Sequence, residues 1–155
     1  MARKKNALTE YYIAEMPVDG AEPEYLRLAK WISTVTDDTD EETEDTAFYD
    51  GDGTPVTDII SVKKTYAFEG FFDEADPAHQ LIQKLEFETG EGRNIMFKQV
   101  RTDGTVLEGP ATLLNPKVTG GEASEYATLE CTISWNRTPN ITPGDNNNGG
   151  GGVEG

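Results

Sequence analysis

The sequence predicts a mainly β protein, an antiparallel β-sandwich or barrel with one flanking α-helix. Three observations carry this expectation. Most apolar residues alternate with polar ones, the period of a strand with one buried face. A single segment carries the start signals and apolar stripe of a helix. The order along the chain is strands, one helix, more strands. At 155 residues the chain suits one domain around one core.

"TEYYIAEM" and "EYLRLAKWISTV" read as the first two strands. "DIISVKKTYAFEGFF" reads as a third, with Ile60, Val62, Tyr66, Phe68 and Phe72 on one side, interrupted by Lys64 and Gly70. The helix is "DPAHQLIQKL": Asp76 is the N-cap, Pro77 takes the first helical position, Leu81, Ile82 and Leu85 form the stripe, and Lys84 suits the C-terminal end. "NIMFKQVR" and "TVLEGPATLL" flank "TDG" as a hairpin with Gly104 where positive φ is needed. Pro110 is expected at an edge or a bulge, because it cannot donate to a ladder. "EYATLECTISW" alternates most cleanly, with Ala127, Leu129, Cys131, Ile133 and Trp135 on one face, so Cys131 reads as core filler. The Gly- and Asn-rich end has too few apolar residues to offset its ordering entropy and reads as flexible.

Charge and composition exclude several functions. With 29 acidic against 13 basic residues, the net charge of −16 repels phosphates and argues against nucleic-acid binding. The lone cysteine forms no intrachain disulfide, and no window reaches the apolar length of a membrane span. The basic start "MARKK" lacks the apolar stretch that a signal peptide requires. His79, the only histidine, reads as a surface residue without a catalytic partner. There is no phosphate-binding glycine loop, no zinc-spaced set and no nucleophile elbow, so neither an enzyme nor a cofactor is expected.

The densest feature is the acidic run Asp37, Asp38, Asp40, Glu41, Glu42, Glu44 and Asp45. A calcium loop needs glycine at its sixth position and glutamate at its twelfth. Counted from Asp38 those are Thr43 and Tyr49, and from Asp50 they are Pro55 and Ser61, so both frames fail and no metal site is expected. No apolar residue lies within 37–45 to raise a carboxyl pKa for catalysis. Two readings remain for the isolated chain: a solvated disordered excursion, or a segment that orders against a basic surface. The candidates for that surface are Lys63, Lys64, Arg93, Lys98 and Arg101, sited on another copy of the chain.

The stretch "VKKTYAFEGFFDEADPAHQLIQKL", the acidic insertion before it, the "NIMFKQVRTDGTVLEG" hairpin and the closing "YATLECTISWN" resemble, in order and spacing, the major tail proteins (tail tube proteins) of long-tailed, non-contractile bacteriophages. The resemblance covers residues 8 to 143 and implies a virion structural protein that self-assembles into hexameric rings stacked as a tube. The genome passes through that tube without specific binding. It implies further copies, tape-measure and tail-end proteins as partners, no membrane, synthesis in the host cytoplasm, residues 36–56 as the loop that bridges rings, and a division into an N-terminal arm over 1–20, the β-domain over 21–136 with its helix near 76–86, and a C-terminal arm or linker over 137–155. Lumen charge is expected from the polar faces of strands. The alternative is a monomeric cation-binding or adhesive β-sandwich module that uses the acidic run.

Overall fold

The computed structural model describes residues 3–18 and 20–144. Ten strands and one α-helix follow in order: β1 (Glu10–Glu15), β2 (Leu26–Arg27), β3 (Ile32–Asp37), β4 (Asp40–Thr46), β5 (Val56–Lys63), β6 (Thr65–Phe71), α1 (Pro77–Lys84), β7 (Asn94–Val100), β8 (Val106–Lys117), β9 (Thr128–Trp135) and β10 (Asn140–Thr142). Eight of these form one antiparallel sheet in the order β2-β1-β7-β8-β9-β6-β3, with β10 added beside β8. The remaining two, β4 and β5, pair only with each other. The architecture is the expected antiparallel β fold with one flanking helix.

The sheet curls. β1 and β6 stand four strands apart, a separation of roughly 19 Å in a flat sheet, yet the Tyr11 ring lies 5.1 Å from Phe68 and 6.0 Å from Tyr66. The curl gathers the inner-face residues Ile13, Phe68, Ile95, Phe97, Leu113, Leu129 and Ile133 into one core, which α1 closes with Leu81, Ile82 and Leu85. Tyr66, Phe97 and Trp135 meet at tilted and edge-on angles, with 4.9 Å between the last two, and the Trp135 indole N–H donates to the Phe97 carbonyl at 3.2 Å. Cys131 is buried as expected, and burial pushes its thiol pKa up to about 12.

The helix starts where its caps require: the Asp76 carboxylate accepts the His79 backbone N–H at 3.3 Å, and Pro77 takes the first position. His79 itself is fully buried, against the expectation of a surface residue. It lies three residues before Ile82, on the same stripe; its ring stacks on Phe72, and Nδ1 accepts the Asp73 N–H at 2.9 Å. Burial lowers its pKa, and Nε2 has no hydrogen-bond partner among the described residues.

Four other expectations change. The strand read across 24–35 breaks into β2 and β3, because Trp31 turns through φ 60° and the Ile32 N–H closes a turn onto the Ala29 carbonyl. The strand read across 58–72 breaks at Lys64 into β5, outside the main sheet, and β6 within it. Pro110 sits in β8, between β7 and β9, rather than at an edge or a bulge. Its carbonyl accepts the Asn136 N–H where β9 ends and β10 has not begun. An antiparallel residue directs N–H and C=O to one side, so the missing donor breaks no bond to β7. Finally, the expected N-terminal arm contains β1, paired along its length with β7. Of the expected C-terminal arm, residues 140–142 pair with β8, and 145–155 lie outside the described residues.

Candidate assembly interface

Within the acidic run, Asp37 closes β3, Asp38 lies at the join, and Asp40 to Asp45 belong to strand β4. β3 and β6 pair within the sheet, and past Asp37 and Lys64 the same two chains continue as the β4–β5 ribbon, a long hairpin whose outer half leaves the sheet. From Asp40↔Lys63 to Thr46↔Val56 the ribbon spans about 20 Å at the rise of an antiparallel strand. At its root Lys64 Nζ lies 2.9 Å from Asp37 Oδ2. Burial alone would raise the Asp37 pKa, but hydrogen bonds from Thr39 and the Lys64 ammonium outweigh it and hold the carboxyl below its usual range. The Asp38 N–H donates to the Thr65 carbonyl at 2.8 Å and carries the pairing across the join.

Pairing divides the run between two faces. Asp40, Glu42 and Glu44 share one face with Ser61, Asp58 and Lys63. Glu41, Thr43 and Asp45 share the other with Val62, Ile59 and Thr57, and a bulge places Ile60 beside Ile59. Ile59, Ile60, Val62 and Val56 are all more than half exposed, and at the tip Phe48 is half exposed and Tyr49 fully so. Both faces of the ribbon thus carry carboxylates and apolar side chains, and both are uncovered. No cluster of three or more metal-ligating side chains occurs among the described residues.

The five candidate cations do not form one surface. Lys63 and Lys64 stand at the root of their own chain's acidic ribbon, opposite Asp40 and against Asp37. Arg93 is structural, its guanidinium donating to the Leu113 and Glu86 carbonyls at 3.2 and 2.9 Å. Lys98 lies on the outer sheet face, over the rings of Tyr12 (4.8 Å) and Tyr25 (4.5 Å), beside Glu108. The Tyr25 hydroxyl donates to Glu108 at 2.7 Å; burial and that carboxylate raise its pKa. Only Arg101 joins Lys63 and Lys64, in a cleft of about 660 Å³ where β5 and β10 diverge. Arg137, which sequence reasoning missed, completes it.

Two further surfaces are open. β3 and β2 are the sheet's edge strands, and between β1 and β3 lies a cleft of about 790 Å³ lined in part by Tyr11, Leu28, Val35 and Arg101. The outer face places Glu69 directly opposite Glu130, with Lys117 beyond, and Glu108 opposite Lys98.

No protein-family model and no curated protein matches the sequence. Solved structures do. The chain is similar to the tail of an empty gene transfer agent particle, solved with C6 helical symmetry, at TM-score 0.67 and 12% identity over 90% of this chain and 99% of that one. It is similar to a chain of the native gene transfer agent virion at TM-score 0.65 and 12% identity, over 90% and 99% of the two chains. A sheath/tube terminator of an extracellular contractile injection system follows at TM-score 0.53 and 10% identity, over 92% and 98%. At these identities the likeness is one of fold. It extends to a contractile system, so it does not select the non-contractile tails that the sequence resemblance implied.

Proposed function

We propose that this chain is a tail tube subunit, a structural protein whose copies assemble into hexameric rings that stack into the conduit of a phage-like tail. The observation that carries the proposal is the likeness of fold, over 90% of this chain and 99% of the other, to a tail component arranged with C6 symmetry. The physics of the isolated chain supports it. Two free sheet edges suit lateral joining into a continuous barrel. The ribbon exposes apolar side chains that a second copy would cover, and the acidic run acts there as a ring contact. Glu69, Glu108 and Glu130 on the polar sheet face supply lumen charge that repels the DNA backbone, so the genome slides without binding. By the same reading the tape-measure and tail-end proteins are partners, and the site of action is the virion tail. No step in this role requires catalysis. Negative-stain microscopy of the concentrated full chain tests the proposal: rings or tubes with sixfold top views are expected, and strictly monomeric protein across salt and concentration would refute it.

A further inference from the structure

We infer that the cationic cleft at the root of the ribbon is the receptor for the ribbon tip of a second copy. The inference rests on the assembling-subunit reading above and names the partner surface that the reading leaves open.

The chain carries more than twice as many acidic as basic residues, yet Lys63, Lys64, Arg101 and Arg137 converge on one cleft, over the apolar side chains of Leu114 and Ile141. Among the described residues, of these four cations only Lys64 forms an ion pair, with Asp37. The cleft arises from topology. β6 and β9 pair side by side, but beyond Lys64 the chain leaves with the ribbon, while beyond Trp135 it returns to β8 as β10. The gap between these diverging strands is therefore built into the sheet.

The tip supplies the complement. Residues 47–55 present Phe48, Tyr49, Asp50 and Asp52, two aromatic anchors beside two carboxylates. The turn is formed in advance: the Gly51 N–H donates to the Phe48 carbonyl at 3.2 Å, and the Asp52 carboxylate accepts the Thr54 N–H at 3.0 Å. An aromatic anchor ringed by charge is the usual composition of an interface hot spot. The ribbon's extended strands hold the tip about 20 Å from its own root, so a tip can fill a root only on another copy. The stretch 145–155 competes poorly as occupant, since it offers Asp145 and Glu154 but no aromatic residue. A tip-to-root contact joins two different patches, so a copy seated on one neighbour still offers its own root to the next.

The test uses the full chain. Two single variants, Asp50→Cys and Thr138→Cys, are mixed under assembly conditions; Thr138 lines the cleft and the native Cys131 is buried. A disulfide between the two variants, confined to assembled material, is expected. The reversal Arg101→Glu with Arg137→Glu, or Asp50→Lys alone, should raise the concentration needed for assembly about tenfold or more, and combining the reversals in one chain should recover part of the loss. Tubes that form without that cross-link and ignore the reversals overturn the docking and leave the tube reading standing. Loss of assembly on removing residues 145–155, with the reversals harmless, assigns the cleft to the tail and also overturns it. Failure to assemble under any condition overturns both.

Discussion

Two hairpins of this chain share an antiparallel pairing and have opposite fates. β7–β8 keeps its buried apolar residues on one face, whereas β4–β5 carries carboxylates and apolar residues on both. In β7–β8 that face, with Ile95, Phe97, Leu107, Ala111 and Leu113, is buried under the curled sheet and α1. In β4–β5 every residue except Thr46 is exposed. An isolated two-stranded hairpin is marginal in water, so the first hairpin is held by its own molecule, while the second is ordered only from its root and awaits a cover.

The largest effect should separate the two outright. Phe97→Ala empties a fully buried site at the centre of the aromatic cluster and is expected to cost about 3–5 kcal/mol, measured by urea unfolding. Ile60→Ser on the ribbon should change monomer stability by less than about 0.5 kcal/mol while impairing assembly seen by microscopy. Equal losses of monomer stability would break the distinction.

The same contrast explains which parts were legible beforehand. β9 could be read because Leu129, Cys131, Ile133 and Trp135 alternate strictly, and α1 because Asp76 and Pro77 mark its start. The ribbon could not: "DEETEDT" has no apolar period, and the break at Lys64 lacks glycine or proline, so β5 and β6 read as one strand. Its order comes from pairing with a distant segment, which composition does not report. The cleft was half visible. Lys63, Lys64 and Arg101 were identified, whereas Arg137 sits in a stretch whose composition suggested only flexibility. Lys98 could have been assigned to the outer face by strand parity, since Phe97 and Gln99 point inward. The burial of His79 had a weaker signal, its spacing from Ile82.

His79 provides the next test, because it belongs to the core and has no counterpart on the ribbon. Burial lowers its pKa, so near neutral pH and just below it the unfolded chain binds more protons than the folded one. Stability is complete above the ordinary histidine pKa of about 6.5 and should decline as pH falls through that value. His79→Leu should abolish that slope in melting temperature against pH. The variant also strands the Asp73 N–H, at about 1–3 kcal/mol, visible as a lower midpoint at pH 8. A slope that persists without the imidazole would move the origin of the pH dependence elsewhere.

A smaller effect concerns the end of β3–β6 far from the ribbon, where Ile32 pairs with Gly70. A Cβ on Gly70 would collide with the Trp31 carbonyl, so Gly70→Ala should push β3 from β6 and cost about 1–3 kcal/mol, whereas Gly51→Ala at the ribbon tip meets only the Phe48 carbonyl at 3.7 Å and should be neutral in thermal melting.

The smallest effect falls on the join between the hairpin's two halves. The Asp37–Lys64 pair is partly exposed, with side chains 49% and 31% accessible, and such pairs contribute about 0.2–1 kcal/mol. Lys64→Ala should therefore barely shift the global melting temperature. Its consequence is local: with the ammonium gone, Asp37 is left among the ribbon's carboxylates, and the two chains at the join lose the contact that keeps the ribbon in line with the sheet. Amide exchange should accelerate across 40–46 and 56–63 while β7 and β8 stay protected, because local opening of the ribbon leaves the core intact. Acid should reproduce this loosening only below the ordinary aspartate range, about pH 4, since the lowered Asp37 pKa keeps the pair ionised above it. Uniform acceleration across both hairpins would instead mean that ribbon and sheet open as one cooperative unit, and that the ribbon's stability is drawn from the core after all.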